Sequence, residues 1–244
     1  MKHNEHSPFY SPPCGTSDQR NEEYARSFSV RRFFDHLVTS EVPIILDVGA
    51  HRGESVEFFK SIYPQSILFS FEPDPDNFAE LIKVAQQFDT QAIQVALGEI
   101  TEEECSYYRQ SISHMGGLLP IHADSTDSLG YARQATNERI TVHKRTLDQV
   151  FADLDIAHVD ILKIDVQGYE GKVLEGASSM LALTDCVVIE VSLYDLYGKT
   201  DSFAEVVRLM DGAGFSLWDI ANLSKNPKSL RTDWIELVYK NDRR

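Results

Sequence analysis

The sequence predicts an α/β fold, a mostly parallel sheet with helices packed on both faces. Three observations carry this prediction. Apolar strand-like runs alternate along the chain with stretches of helical spacing. The runs ILDV (Ile45–Val48), ILKID (Ile161–Asp165) and VVIEV (Val187–Val191) are near-continuous in Leu and β-branched residues, as expected of strands covered from both sides. The chain has 244 residues, 42% of them apolar and 10% aromatic, which suits one such domain with an N-terminal extension.

Residues 1–20 are rich in Pro, Ser, Asn and Gly and read as a flexible lead-in, in which His3 and His6 are not expected to bind metal. A single domain is expected over 21–244. From Asn21 to Thr39 the apolar positions Tyr24, Phe28, Phe33, Phe34 and Leu37 recur at roughly helical spacing. A strand over Pro43–Val48 then leads into a helix over Ser55–Tyr63, and a second strand covers Ser66–Glu72. Pro75 is a good first-turn residue for a helix to Phe88, and a third strand covers Gln91–Leu97. Residues 103–109 and 139–145 alternate like an antiparallel pair, with a looser stretch between them. The fourth strand, Val159–Asp165, is followed by a helix near Lys172–Leu183, and the fifth strand is Cys186–Ser192. Ser202 and Glu205 form a capping box for a helix to Asp211. Phe215–Ile220 and Trp234–Lys240 close the chain with no helix between them, which predicts a hairpin.

The net charge of −15 (23 Lys and Arg against 38 Asp and Glu) argues against nonspecific binding to nucleic acid or anionic membrane. Cys14, Cys105 and Cys186 are odd in number and widely spaced, which gives neither a disulfide framework nor a zinc motif and suits a reducing compartment. No apolar run approaches the ~20 residues of a membrane span, and the first residues lack the apolar core of a signal peptide. A soluble cytoplasmic protein is expected, with no nucleic-acid or membrane partner and an open oligomeric state.

Two segments carry the chemistry. ILDVGAHRG ends at Gly53, and FSFEPDP places Glu72 19 residues later. A strand, a glycine-containing turn, a helix and a second strand ending in a carboxylate are how such sheets grip an adenosine, with the acid on the ribose hydroxyls. The turn Gly49-Ala50-His51-Arg52-Gly53 is not G-x-G-x-x-G, so it leaves less room for a pyrophosphate. S-adenosyl-L-methionine therefore fits better than a dinucleotide. In this reading Gly49, Ala50, His51 and Gly53 pass beneath the methionine part, whose carboxylate meets N–H groups of the turn and the helix start. Asp47 orients the loop and meets the cofactor's ammonium, Glu72 takes the ribose, and Ala96 and Leu97 lie along the adenine.

Asp47, Glu72, Asp165 and Glu190 all fall at or near strand ends, where ligands of parallel sheets bind. Asp165 is the leading candidate for a proton-accepting base, with Glu190 beside it and His114 as the rival. The competing account is structural: Lys163, two residues back on the same strand face, could pair with Asp165 or Glu190. Asp165 with Glu190 could also hold Mg²⁺, but no ligand spacing supports this and the metal is left unassigned. Tyr194, Tyr197 and Trp218 are candidates for stacking on a sugar ring. Loops 110–138 and 221–233 are expected to shape the acceptor pocket.

With LDVGAHRG, FEPDP and LKIDVQGYEGKVLEGA (Leu162–Ala177) in this order, the chain resembles the FkbM family of S-adenosylmethionine-dependent methyltransferases over Pro43 to Lys240. SHMGGLLPI and TLDQV are similar to family landmarks. Gln167 stands where the family often has Glu, and His51 where Asn is common. The resemblance implies a Rossmann-like class I methyltransferase, with seven strands of which the last is antiparallel. It also implies methyl transfer to oxygen, on a small-molecule or glycan acceptor. The alternatives are an NAD(P)-dependent oxidoreductase on a related sheet and a non-catalytic nucleoside-binding relative.

Overall fold

The computed structural model describes Phe34 and residues 36–122, 134–194, 196–198, 202–226 and 229–244. The chain divides into two compact units, Met1–His36 and Leu37–Arg244. The lead-in expected over 1–20, most of the helix expected over 21–39, and Cys14 lie outside the described residues.

In the second unit, β1 (Ile44–Val48) is followed by α1 (Glu54–Ile62), β2 (Ile67–Phe71), α2 (Pro75–Phe88) and β3 (Gln91–Ile93). The chain then builds β4 (Ala96–Leu97), β5 (Glu102–Arg109), β6 (Glu138–Arg145), α3 (Leu147–Asp153) and β7 (Val159–Ile164). It continues with α4 (Glu170–Glu175), α5 (Ser178–Leu181), β8 (Thr184–Ser192), α6 (Phe203–Ala213), β9 (Phe215–Lys225) and β10 (Thr232–Asn241).

The main sheet has seven strands in the order β3-β2-β1-β7-β8-β10-β9. The first five in that order run parallel, and β10 is antiparallel to both β8 and β9, as expected of the last strand. From β1 the chain crosses to β2 on one side, while β7 leads to β8 on the other, so the order reverses between β1 and β7. The continuous apolar runs fill this centre. Leu46, Val48, Leu162, Ile164, Val187, Ile189 and Leu237 pack into one core with Val173, Leu174 and Met180 of the α4–α5 region and Val206 and Met210 of α6. No helix among the described residues is long and apolar enough to cross a membrane.

Two expected elements differ, and one helix was not expected. The strand expected over Gln91–Leu97 is two: β3 stays in the main sheet, and β4 joins a second sheet of order β4-β6-β5. Ala96 and Leu97 find their ladder partners in Lys144 and Arg145 of β6, not along β2. The helix expected over Lys172–Leu183 is broken in two. A Cβ on Gly176 would sit 2.0 Å from the Gly98 carbonyl oxygen, so the helix parts where another stretch of backbone presses on it. TLDQV opens a helix, α3, that apolar periodicity does not announce in so short a run; Thr146 caps it by accepting from the Gln149 N–H at 3.2 Å.

Candidate active site

At the carboxyl ends of β1, β2, β7 and β8 lies a cavity of about 380 Å³, within the range of small-molecule sites. Its wall is completed by the loop around Ser113–Leu118 and by residues after β8, including Tyr194 and Tyr197.

The turn after β1 is held from within. The Gly49 and Ala50 N–H groups both donate to the Phe71 carbonyl at 3.0 Å, which ties the turn to the end of β2. The His51 N–H donates to Glu72, the Arg52 N–H to Glu54 and the Gly53 N–H to the Ala50 carbonyl. The turn's five amides are thus engaged within the protein. The glycines answer to packing. Gly49 (φ 83°) leaves room for the Asp165 carbonyl just after the neighbouring strand β7, which would lie 1.8 Å from a Cβ. Gly53 (φ 103°) caps α1 in the left-handed region, and a Cβ there would meet Val84 of α2 at 2.9 Å. Gly49 and His51 line the cavity; Ala50 and Gly53 do not.

Glu72 stands where the sequence places it. It is 4% exposed, accepts from the N–H groups of His51 (3.0 Å) and Asp74 (2.9 Å), and lines the cavity. Burial pushes its carboxyl up to about 8, against the pull of those two donors and helped by the nearby Asp74. Asp74 caps α2 through the Asp76 N–H at 2.8 Å and receives both arms of Arg109, at 2.6 and 2.8 Å. Val95, Ala96 and Leu97 supply the cavity's apolar side.

Along one face of the main sheet the pairing register sets Asp47 beside Lys163 and Glu190 beside Glu236. The Lys163 ammonium lies 3.4 Å from Asp47 and 3.7 Å from Asp165. Desolvation pulls Lys163 down, but the charges of Asp47, Asp165, Glu190 and Glu236 outweigh it and hold the ammonium above its ordinary range. One cation cannot serve four carboxylates, and burial raises Asp47, Glu190 and Glu236 despite it. Asp47 is fully buried, does not line the cavity and has the Lys163 ammonium 3.4 Å away. Asp165 and Glu190 do line it.

Asp165 is held by its own loop. Gln167 donates to its Oδ1 at 2.8 Å, and the Tyr197 hydroxyl donates to the Gln167 carbonyl oxygen. A carboxylate can only accept, so the Gln167 amide nitrogen must face Asp165 and its oxygen must face Tyr197. Gln167 adopts φ 60°, and Glu170 clamps that bend by accepting from the Val166 (3.1 Å) and Gly168 (3.0 Å) N–H groups. Burial, offset by these donors, leaves the Glu170 carboxyl at about 7.

His114 lines the cavity, its ring edge-on to His51 at 6.3 Å. Tyr194 and Tyr197 also line it, but Trp218 does not. Trp218 is 49% exposed on β9 with Lys240 above its ring, because that outer strand is covered by nothing described. Trp234 of β10 takes the wall position instead. Sequence reading missed it, although its two-residue spacing to Glu236 puts both on the face that carries the carboxylates. Among the described residues the group of three potential metal ligands is His158, Asp160 and Asp185, at the amino ends of β7 and β8, outside the cavity.

The cavity's charge selects between cofactors. Glu72, Asp165 and Glu190 line it, and its described lining includes no Lys or Arg. A sulfonium and an ammonium suit that wall, whereas a pyrophosphate would meet carboxylates without a counter-ion. The methyltransferase FkbM domain model matches residues 47–217. The 2-O-methyltransferase NoeI of Sinorhizobium fredii is 26% identical over 204 residues, covering 73% of this chain and 78% of that protein. The 31-O-demethyl-FK506 methyltransferase FkbM of Streptomyces tacrolimicus is 27% identical over 218 residues, covering 80% and 81%. The match spans the β1 turn, the Glu72 strand end and the Asp165–Glu170 loop, and the chain belongs to the FkbM family of methyltransferases, with S-adenosyl-L-methionine as its cofactor.

Proposed function

We propose that the chain methylates a hydroxyl oxygen of a small-molecule or glycan acceptor, with Asp165 taking the hydroxyl proton. The observation that carries this reading is the meeting of Glu72, the Val95–Leu97 wall and Asp165 around one cavity at the switch point of the sheet. The relatives named above support oxygen as the acceptor atom.

When bound, the cofactor supplies an electrophilic methyl on a positively charged sulfur. Glu72 would hold the ribose hydroxyls, because two backbone donors fix its carboxylate while it still faces the cavity. Ala96 and Leu97 offer the adenine an apolar side. Asp165 accepts the acceptor proton, which a neutral hydroxyl must lose as it attacks. Gln167 and Tyr197 hold that carboxylate in one orientation, so positioning is settled before the acceptor arrives. Glu190, whose carboxyl is raised by burial and by the charges of Asp165 and Glu170, lines the same cavity within the field of Asp165.

Isothermal titration calorimetry with S-adenosylhomocysteine, and with NADH as control, tests the cofactor assignment. Binding of the homocysteine nucleoside alone is expected. Binding of NADH alone would return the chain to the oxidoreductase reading.

The Glu72 carboxyl adds a pH dependence. Its folded value lies above its ordinary one, so it contributes stability fully below about 4.5 and loses that contribution as pH rises toward 8. Ribose hydroxyls donate to the ionised form, so binding below pH 8 must expel a proton. Affinity for S-adenosylhomocysteine is therefore expected to fall by up to about tenfold per pH unit below that point. Glu72→Gln should weaken binding and flatten the slope. Calorimetry at several pH values, in buffers of different ionisation enthalpy, reads both the affinity and the released proton.

A further inference from the structure

The cavity wall carries one array that methyl transfer does not use. Glu54 Oε1 lies 3.0 Å from His51 Nδ1, and His51 Nε2 lies 2.9 Å from Ser113 Oγ. Carboxylate, imidazole and hydroxyl stand in series, each contact within the reach expected between orienting acid, base and nucleophile.

The proton positions follow from the chemistry of the three groups. Partial burial pulls the Glu54 carboxyl up, but donors from its own backbone, from His51 and from Arg52 prevail and hold it below its ordinary range. As a carboxylate it can only accept, so His51 Nδ1 must carry the hydrogen. In the neutral imidazole Nε2 then presents a lone pair to Ser113, whose hydroxyl donates. The array is also rooted. His51 sits at φ 48° with its N–H fixed on Glu72, and Ser113 opens a single 3₁₀ turn, Ser113–Met115. His51 and Ser113 both face the cavity, while Glu54 supports the imidazole from the exposed side.

A mere latch between the β1 turn and the 113–117 loop would need only one donor and one acceptor. Asparagine at position 51 could supply that. An imidazole backed by a carboxylate adds something a latch does not require, namely the ability to take the proton from Ser113.

We propose that Ser113 is a nucleophile activated by His51 and Glu54, which gives the cavity a second chemistry, the hydrolysis of small activated esters. Ser113 Oγ bonds to the acyl carbon as its proton passes to His51 Nε2. The ester's alkoxide or phenoxide then departs with that proton, and Glu54 stays ionised throughout. Water next attacks the acyl carbon and yields a proton to His51. The bond to Ser113 Oγ breaks, Ser113 regains its proton from His51, and the carboxylic acid leaves.

The test uses the full chain with two probes, an alkyl fluorophosphonate and p-nitrophenyl acetate. Peptide mass spectrometry is expected to find the phosphonyl adduct on Ser113, formed with loss of fluoride. Release of p-nitrophenol should fall by about 100-fold or more in Ser113→Ala and in His51→Asn, and by less in Glu54→Gln. Asparagine tolerates the left-handed backbone at position 51, so His51→Asn removes the base while sparing the turn. An unlabelled Ser113, or labelling of His51→Asn at the parent rate, overturns the proposal. S-adenosylhomocysteine binding, measured on the same variants, reports on the methyltransferase site separately.

Discussion

Gly49→Ala is expected to cost about 3–5 kcal/mol and to lower the unfolding midpoint by roughly 10 °C. Two effects add. A residue with a Cβ is strained at φ 83°, and that Cβ would lie 1.8 Å from the Asp165 carbonyl oxygen and 2.8 Å from its carbon. Backbone cannot rotate aside as a flexible side chain would, so β1 and β7 must separate at their carboxyl ends. Gly212 of α6, with nothing within 4 Å of an added Cβ, is the internal control, and Gly212→Ala should leave the midpoint unchanged or raise it. Calorimetric or circular-dichroism melts of the two variants decide the matter. Equal melts would mean that the turn does not press on Asp165.

Asp165→Asn is expected to keep affinity for S-adenosylhomocysteine and to lose about 10²–10⁴-fold in kcat. The substitution preserves volume, but an amide cannot accept the acceptor's proton. The Gln167 hydrogen bond survives only if the new amide presents its oxygen to the Gln167 nitrogen. Lys163 keeps Asp47 as a partner at 3.4 Å, so no buried ammonium is stranded and the fold should hold. A drop in cofactor affinity equal to the drop in kcat would instead assign Asp165 to cofactor binding. Turnover at the parent rate would move the proton acceptor elsewhere, with His114 the next group on the wall.

The sheet was legible because its central strands are apolar on both faces, and nothing but a covered parallel sheet accommodates ILDV, ILKID and VVIEV together. Glu72 and Asp165 were legible because each ends such a run. What escaped depends on contacts between distant segments. The break at Gly176 exists because Gly98 lies across it, and the small sheet exists because Ala96 and Leu97 reach β6. Asp47 resembles Asp165 in sequence, each being an acid next to the end of an apolar run. Two residues of offset along the strand place one beneath the cavity on Lys163 and the other on its wall. The role of Gln167 could not be read either, since Tyr197, which fixes its amide, arrives 30 residues later.

Arg109 closes two of its nitrogens on Asp74, at 2.6 and 2.8 Å, and a third on Asp76 at 2.9 Å. The guanidinium belongs to β5 of the outlying sheet, and Asp74 belongs to the helix cap two residues after Glu72. A charge-assisted fork of this kind does not loosen one arm at a time. The second sheet is thereby tied to the α2 cap beside Glu72. Amide hydrogens of β5 are therefore expected to exchange together with those of the α2 cap.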